Sequence, residues 1–315
     1  MTQAADPVFQ QEQEHLSATY ATLQDLAQAT ARQLEKIARE AAADKQSMGD
    51  ELTVNFATAD DILETYADFA AMNRIVEAYN ISQDINAQKL SDIQLLLRQP
   101  YFAKISLRFK PGEEPRDLYI GDAGVSDEDC RRIVVDWRSP VAEAYYNQDL
   151  GPTSYEANGR IIHADLLLRR QFSIEEDRLL AYFDTTVAIQ DALLLASLAQ
   201  RRSAQMQAIT ATIQKEQNRV VRHDDVPVLL VNGVAGSGKT SVMLQRIAYL
   251  FYRHRETLDP RDMTIVTPNP VFRRYIDQVL PSMGERNPQM LTWAELAERL
   301  LPPALAGAAD RTSAD

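Results

Sequence analysis

Residues 226–240 read VPVLLVNGVAGSGKT, and this stretch decides the fold class of the chain. Its first six residues are almost all apolar, as expected for a strand buried inside a parallel sheet. Residues 233–240 then have the spacing G-x-x-x-x-G-K-[ST] of a phosphate-binding loop. Residues 241–252, SVMLQRIAYLFY, favour a helix. A strand, a glycine-rich loop and a helix in this order predict an α/β fold containing part of a P-loop parallel-sheet domain.

Each residue type in the loop has a chemical reason. Glycines let backbone N–H groups turn toward the phosphates of a nucleotide, and the N-terminus of the following helix adds its positive end. The lysine neutralises the β- and γ-phosphates, and the next hydroxyl can bind Mg²⁺. We therefore predict ATP and Mg²⁺ as cofactors, Lys239 and Thr240 as catalytic residues, and Thr240 as the metal ligand. The predicted nucleotide contacts are Gly233, Val234, Ala235, Gly236, Ser237, Gly238, Lys239, Thr240 and Ser241.

Two further side chains are candidates for the same site. Gln217 lies sixteen positions before Gly233, and a glutamine amide can both donate to and accept from the edges of adenine. At this offset it resembles the Q motif of superfamily-one helicases of the UvrD/Rep kind. Arg246, on the helix after the loop, stands where those proteins often have a basic residue. The resemblance adds Gln217 and Arg246 to the predicted nucleotide contacts and makes the P-loop domain RecA-like.

The segment after the loop resembles the same helicases, with departures. Residues 263–267, MTIVT, predict a strand, and Pro268, Asn269 and Pro270 follow it. This is similar to helicase motif Ia, whose strand end contacts single-stranded nucleic acid, but prolines replace part of the pattern and no lysine follows. Residues 291–296, LTWAEL, resemble the next helicase element, in which an aromatic residue after a threonine leads into a helix. The departures in motif Ia weaken the prediction of direct DNA binding.

The first 98 residues predict two long helices. Apolar or small residues recur at alternating steps of four and three, which is the heptad pattern of a coiled-coil seam. In the first helix these residues are Leu16, Tyr20, Leu23, Ala27, Thr30, Leu34, Ile37 and Ala41. The seam of the second helix begins with Ile62, Tyr66, Phe69 and Val76 and continues with Leu90 and Leu97, but polar Asn73, Asn80 and Gln83 interrupt it. We predict an antiparallel helical hairpin, whose arms of about 40 residues extend about 60 Å at about 1.5 Å per residue.

Acidic residues are concentrated in this hairpin. The 315-residue chain has 45 Asp and Glu against 33 Lys and Arg, a net charge of −12, and residues 1–98 hold 16 of the acids and 7 of the bases. Seven acids and one base fall between Asp44 and Asp68. The acid excess argues against a nucleic-acid binder held by a basic surface. A carboxylate-rich tip can contact a basic channel or a bound Mg²⁺; a dimerising coiled coil or a spacer is the alternative.

Residues 101–184 predict a small β-rich module, because short apolar runs alternate with turn signals such as Pro111-Gly112 and Asn158-Gly159. The predicted domains are a helical arm at 1–99, the β-rich module at 100–184 and an incomplete P-loop lobe at 185–315. The single cysteine, Cys130, excludes an internal disulfide and fits a reducing compartment. No apolar run reaches the ~20 residues of a membrane helix. We predict a cytoplasmic protein without a membrane partner.

One element of a hydrolytic site is missing from the sequence. ATP hydrolysis in such proteins needs an acidic strand end that holds Mg²⁺, and no apolar strand ending in Asp-Glu follows the P-loop. Residues 132–136, RIVVD, end in an acid but precede the loop. We expect the chain to be the N-terminal part of a longer motor, with a natural truncation as the alternative. Hydrolysis is then an activity of the longer protein, and nucleotide binding is the activity expected of these residues alone.

The whole pattern resembles the HelD family of bacterial motor ATPases that act on RNA polymerase. Beside the hairpin and the P-loop, the ordered matches are Tyr119-Ile120-Gly121, Asp136-Trp137-Arg138-Ser139-Pro140, Arg169-Arg170-Gln171, Ile213-Gln214 and Glu216-Gln217. The resemblance implies a helicase-like ATPase whose acidic hairpin enters the secondary channel of core RNA polymerase and which releases the polymerase from nucleic acid. It also implies that Asp50, Glu51, Asp60 and Asp61 are partner-binding residues at the tip.

Two other functions remain open from the sequence. A DNA helicase or repair translocase has the same P-loop and predicts ATPase activity stimulated by single-stranded DNA. A non-catalytic factor that binds the polymerase secondary channel needs only the acidic hairpin. We interpret Asp136, Trp137 and Arg138 as a packed, hydrogen-bonded corner of the β-rich module rather than as catalytic residues.

Overall fold

The computed structural model describes residues 6–51, 59–127, 129–147, 150–184, 213, 215–234 and 236–300. The chain divides into two compact units. The first consists of Met1–Trp137 and Ala164–Thr185, and the second of Arg138–His163 and Thr186–Asp315. The predicted domain limits remain a prediction. In the part of the chain described here, no helix is long and apolar enough to cross a membrane.

Two long antiparallel helices begin the first unit. Helix α1 spans Pro7–Glu51 and helix α2 spans Ala59–Arg98. The α1 seam lies as predicted, because every one of its residues is buried or half-buried. A hydrogen bond of 2.6 Å from the Tyr79 hydroxyl to Asp44 Oδ2 joins the distal parts of the two helices. The prediction of two long helices is therefore confirmed.

The buried face of α2 departs from the predicted seam at Tyr66 and Phe69, and the Ile62 side chain lies outside the described part of the chain. Tyr66 and Phe69 are 68% and 40% exposed, whereas Thr65 is buried. Ile81 and Ile85 are also exposed. Apolar residues are thus spread around α2 instead of forming one stripe, and the sequence pattern alone does not define the buried face. Thr65 therefore lies on the buried face of α2, whereas the aromatic residues Tyr66 and Phe69 lie outside it.

A mixed sheet packs against α1 and α2 in the first unit. The strands between α2 and residue 184 are β1 (Ala103–Arg108), β2 (Arg116–Gly121), β3 (Val125–Ser126), β4 (Arg132–Asp136), β5 (Gly151–Ala157), β6 (Arg160–Glu175) and β7 (Arg178–Asp184). In the first unit the neighbours run β3-β4-β2-β1-β6, with β7 also paired to β6. The β2–β4 pair is parallel, and β1 pairs with β2 and β6 in antiparallel register. The β-rich character predicted for this segment is confirmed.

The core of the first unit lies between the two helices and the sheet. It includes Leu16, Leu23, Leu26, Ile93, Leu96, Tyr101, Tyr119, Val134 and Phe172. Gly121 allows this packing, because a β-carbon there would lie 2.8 Å from both the Pro100 carbonyl oxygen and Val134 Cγ1. The glycine in the Tyr119-Ile120-Gly121 match therefore has a structural reason.

A cluster of charged and polar side chains joins α1 to the sheet, with Glu12, Lys104, Tyr119 and Arg170 buried and Asp184 at the exposed edge. The Glu12 carboxylate accepts hydrogen bonds from Lys104 Nζ at 3.0 Å, Arg170 Nη1 at 2.7 Å and the Tyr119 hydroxyl at 3.0 Å. Arg170 also donates two hydrogen bonds to Asp184, of 2.6 and 2.9 Å. Buried charges are tolerated when they are paired and hydrogen-bonded in this way. We name these five side chains the Glu12 cluster.

The second unit contains the loop predicted to bind phosphate. Its helices are α3 (Glu143–Tyr146), α4 (Lys215–Arg222), α5 (Lys239–Arg253), α6 (Pro270–Ser282) and α7 (Trp293–Leu300). Strands β8 (Thr264–Thr267) and β9 (Gln289–Thr292) form a parallel pair. The helix predicted at 241–252 and the strand predicted at 263–267 are confirmed by α5 and β8. Together with the first unit, these elements confirm the α/β class.

The strand predicted at residues 226–231 is not formed. These residues have no regular secondary structure, and Val228 and Leu230 are 82% and 80% exposed. A parallel strand needs hydrogen-bonding neighbours, and within the described ranges β8 and β9 pair only with each other. The prediction of this strand was wrong for the described chain, because an apolar run sets a preference for burial but does not supply a partner.

Candidate nucleotide site

The predicted phosphate-binding loop turns sharply before α5. Gly236 and Gly238 have φ angles of +80° and +81°, in the left-handed region that glycine adopts readily. Ser237 N donates to the Val234 carbonyl oxygen at 3.2 Å and closes the turn. Gly238 is the N-cap of α5, so Lys239 opens the first helical turn. The loop therefore leads directly into the N-terminus of α5, and a helix N-terminus favours an anionic ligand.

The Lys239 ammonium lies against the loop. Its Nζ donates to the carbonyl oxygens of Gly233 and Val234, both at 2.8 Å. These acceptors hold a positive charge close to the helix N-terminus, where such a loop binds phosphate oxygens. A β-carbon on Gly233 would lie 2.5 Å from Ser237 Oγ, so glycine allows the two sides of the loop to approach. The residues present thus fit the phosphates of a nucleotide.

Thr240 and Ser241, the other predicted ligands from α5, are half-buried in its first turn. Ala235 lies outside the described residues. The N-terminal turn of a helix is a suitable place for a hydroxyl that holds Mg²⁺ beside a phosphate. The metal-binding role of Thr240 and the nucleotide contact of Ser241 remain predictions.

Gln217 is close to the loop despite its distance in sequence. It lies in α4, and its Nε2 would be 3.4 Å from a β-carbon built on Gly238. Gly238 is the residue at which the loop becomes α5. The structure therefore brings the Gln217 amide and the phosphate-binding loop together, and the adenine contact of this amide remains a prediction.

Arg246 contacts the protein backbone. Its Nη1 donates to the Val220 carbonyl oxygen at 2.9 Å and also to that of His223. These carbonyls lie in and just after the last turn of α4, where helix carbonyls lack partners in the helix and a cation is favoured. Arg246 therefore fastens α4 to α5. Its predicted contact with nucleotide remains a prediction.

Arg222 is a neighbour that the sequence reasoning missed. It ends α4, five residues after Gln217, and its Nη1 donates to the carbonyl oxygens of Arg138 and Ser139 at 3.1 and 3.3 Å. Its guanidinium also lies 5.3 Å from the centroid of the Tyr249 ring. The only sequence signal was a basic residue at the end of a short helix, which is common and has no specific meaning.

Asp136, Trp137 and Arg138 of the DWRSP segment are buried, as interpreted. Trp137 has no exposed surface, and Asp136 and Arg138 are 6% and 5% exposed. In the second unit the Arg138 guanidinium pairs with Glu285 and lies 5.0 Å from the centroid of the Tyr252 ring. These contacts agree with a packing role for the segment.

The segments that resemble helicase motifs after the loop cap helices. Asn269 Oδ1 accepts from Phe272 N at 2.9 Å at the start of α6, where Pro270 is the first residue. Proline is favoured at that position and asparagine is a preferred N-cap. Glu295 Oε2 accepts from Thr292 N at 2.6 Å at the start of α7. Local helix capping therefore accounts for Asn269 and Pro270, two of the residues at the departure from motif Ia.

The four predicted tip residues lie at the ends of the long helices. Asp50 and Glu51 are the last residues of α1, and Asp60 and Asp61 follow the first residue of α2. Residues 52–58, between them, lie outside the described part of the chain. The helices thus bring the four positions to the same end of the hairpin, and partner binding by these residues remains a prediction.

A glycine-rich loop that opens a helix, with a glutamine from α4 beside it, agrees with the helicase-like ATPase family. Two family models match the chain in agreement with this assignment. Residues 9–201 match the model described as DNA helicase IV HelD, N-terminal domain, and residues 213–269 match the UvrD/REP helicase N-terminal domain. The chain belongs to the HelD family. A comparison with curated proteins found no match.

Proposed function

We propose that this chain binds RNA polymerase through its acidic helical arm and that the protein uses ATP to release the polymerase from nucleic acid. The observation that carries the proposal is the combination of a P-loop with a pair of antiparallel helices of 45 and 40 residues. Helices of this length reach about 60 Å. A pair of helices is narrow enough to enter a channel that excludes a globular domain, which supports the secondary channel as the binding site.

The charge at the end of α1 supports a role in binding. Asp50 and Glu51 lie where the helix dipole is negative, and the last turn contains no basic residue. Acidic side chains at a helix C-terminus lower helix stability, so helix formation does not explain their presence. Asp60 and Asp61 add negative charge from the start of α2. Four carboxylates at one end of the arm favour a basic channel or a cation held inside it.

The nucleotide site supports an ATP-driven release. When bound, MgATP supplies a phosphoryl group whose transfer releases free energy. Lys239 would exchange its two carbonyl acceptors for phosphate oxygens, and the Thr240 hydroxyl would hold the metal. Gln217 would contact the adenine from the adjacent helix. In this proposal the nucleic acid is bound by the polymerase, so this chain does not need a basic surface of its own to bind it.

The arm is tested by co-purification with core RNA polymerase. We expect loss of binding when Asp50, Glu51, Asp60 and Asp61 are changed to Asn or Gln together. The matched control neutralises four exposed acids elsewhere on the arm, namely Glu14, Asp25, Glu35 and Asp84, and should keep binding. Equal binding by both variants would contradict a role for the tip charges.

A deletion tests the arm itself without removing the core of the first unit. Residues 42–81 can be replaced by a short Gly-Ser linker, because Asp44 and Tyr79 lie opposite each other and the core residues of α1 and α2 lie outside the deleted segment. We expect this variant to lose polymerase binding while keeping its circular dichroism and cooperative unfolding. Retained binding would contradict the arm as the binding element.

Two further measurements separate the alternatives. Strong stimulation of ATPase activity by single-stranded DNA, without polymerase, in the longer protein would favour a DNA translocase. Polymerase release that is unaffected by Lys239→Ala would favour a non-catalytic binding factor. The proposed function predicts weak DNA stimulation and a loss of release with Lys239→Ala.

A further inference from the structure

We infer that Arg222 is a positioning residue for nucleotide recognition, because it fixes the helix that carries Gln217 beside the P-loop. The inference rests on the proposed nucleotide-binding function and adds a residue that neither the P-loop pattern nor the Q motif contains. Arg222 acts through Gln217 and has no assigned contact with nucleotide.

Arg222 joins α4 to the backbone of residues 138 and 139. Its Nη1 donates to the carbonyl oxygens of Arg138 at 3.1 Å and Ser139 at 3.3 Å. Its Nε donates to Asn218 Oδ1 at 3.0 Å, and Asn218 is buried on α4 directly after Gln217. The fixed, planar arrangement of guanidinium donors suits this three-way contact, which a lysine cannot reproduce.

Arg222 also joins α4 to the helix that follows the P-loop. Its guanidinium lies 5.3 Å from the centroid of the Tyr249 ring, on α5. A guanidinium within about 6 Å of an aromatic centroid is attracted by the ring electrons. Arg138, whose carbonyl accepts from Arg222, itself lies 5.0 Å from the centroid of the Tyr252 ring one helical turn further along α5. Arg222 therefore bridges α4, α5 and the segment at residues 138–139.

The position of Gln217 depends on such contacts. Helix α4 has only eight residues, and isolated helices shorter than about 12 residues are marginal in water. Its orientation must therefore come from packing. Gln217 Nε2 would lie 3.4 Å from a β-carbon on Gly238, so a small rotation of α4 moves the amide relative to the loop. Recognition groups need to be held within about 0.5 Å of their working geometry.

Arg222 lines a cavity of about 370 Å³ in the second unit, with Glu143, Tyr155, Tyr249 and Arg253 also in its lining. Burial raises the pKa of Glu143, and the positive charge of Arg222 opposes that effect. A neutral substitution thus removes both the bridge and a positive charge that acts on the half-buried Glu143 carboxyl group.

The test compares ATP with ITP, which has a carbonyl in place of the adenine amino group. In Arg222→Met we expect the affinity for ATP to fall about tenfold, the value of one to two hydrogen bonds, and the affinity for ITP to fall less. The preference for ATP over ITP should therefore shrink. In a Gln217→Ala background, Arg222→Met should cause no further loss of ATP affinity, because the two residues act in series.

Control variants keep the outcome interpretable. Arg219→Met removes the same charge from an exposed position of the same helix and should leave the ATP preference unchanged. Arg222→Lys restores the charge and one donor, so it should recover part of the preference. If Arg222→Met does not fold by circular dichroism, the result with Arg222→Lys decides. An unchanged ATP-to-ITP ratio in folded Arg222 variants, or additive losses with Gln217→Ala, would overturn the positioning role.

Lys239→Ala separates failure of this inference from failure of the proposed function. If ATP binding depends on Lys239 and the ATP preference is insensitive to Arg222, the positioning role alone fails. If wild type and Lys239→Ala bind ATP equally, the nucleotide site fails and the positioning role falls with it.

Discussion

Glu12 Oε1 accepts a hydrogen bond of 2.7 Å from Arg170 Nη1, although the two residues are 158 positions apart in the chain. Glu12 lies in the second turn of α1 and Arg170 lies in β6. Both side chains are buried, with exposed fractions of 2% and 8%. This contact fixes the base of the helical arm on the sheet of the first unit. The stability of that attachment therefore depends on the Glu12 carboxylate.

We predict that Glu12→Gln destabilises the protein by about 3–5 kcal/mol, the usual cost of removing one member of a buried ion pair. Lys104 and Arg170 would keep their charges without the buried carboxylate that they share. Urea unfolding, monitored by circular dichroism, measures this free energy. Glu14→Gln, at an exposed position two residues away, should change it by less than about 0.5 kcal/mol. Equal effects of the two substitutions would contradict the importance of the cluster.

His15 makes the stability of the same region depend on pH. Its ring stacks on Tyr119 with centroids 3.8 Å apart, and its Nδ1 lies 3.2 Å from the Tyr101 hydroxyl. Burial lowers the pKa of His15 below its usual value of 6.5, while the charge of Glu12 opposes that effect and Lys104 adds to it. The neutral imidazole is therefore the form that packs in the folded protein.

The sign of the pH effect follows from this shift. Below pH 6.5 the unfolded chain takes up a proton on His15 that the folded protein resists, so the free energy of unfolding should fall as the pH falls from about 6.5. Above pH 6.5 the contribution of His15 should be constant. Urea unfolding at several pH values checks this, and His15→Gln should reduce the slope between pH 7 and 5. An unchanged slope in His15→Gln would assign the effect to other groups.

Two isoleucines of α2 test which face of the helix packs. Ile93 is completely buried, whereas Ile85, two helical turns earlier, is 62% exposed. We predict that Ile93→Ala lowers the free energy of unfolding by about 2–5 kcal/mol, because it removes buried methyl groups and leaves a cavity. Ile85→Ala should change it by less than about 0.5 kcal/mol. Urea or thermal unfolding measures both variants. A large effect of Ile85→Ala would contradict this assignment of the buried face of α2.

Two glycines of the phosphate-binding loop give a matched pair. Gly236 and Gly238 both have a left-handed backbone conformation, so alanine costs about 1–2 kcal/mol at either position. A β-carbon on Gly236 meets no atom within 4 Å, whereas one on Gly238 lies 3.4 Å from Gln217 Nε2. We predict that Gly238→Ala lowers ATP affinity more than Gly236→Ala, as measured by calorimetric titration. The reverse order would contradict the placement of Gln217 beside the loop.

Local sequence signals predicted the parts of the fold whose shape is set locally. The α1 seam follows from spacing alone, because the helix is buried along one stripe. Helix α5 and strand β8 also agree with short-range patterns. The phosphate-binding loop could be located from eight residues, since its glycines and lysine serve one chemical purpose.

Features that depend on distant partners could not be read in the same way. Residues 226–231 have the composition of a buried strand. A strand also needs a neighbouring strand to pair with, and composition does not identify that neighbour. The Glu12 cluster joins residues from α1, β1, β2, β6 and β7, and nothing in the sequence around Glu12 marks it as buried. Arg222 was missed for the same reason, because its role comes from carbonyl oxygens 83 and 84 positions earlier.

The anchoring of α1 has a mechanical consequence. From Glu12 to the end of α1 the helix runs for about 58 Å, so a tilt of about one degree at the anchor displaces the far end by about 1 Å. The stiffness of the Glu12 cluster therefore limits how far the distal end of α1 moves relative to the sheet of the first unit. A substitution that loosens this anchor should therefore widen the movement of the distal end of the arm even where both helices stay folded.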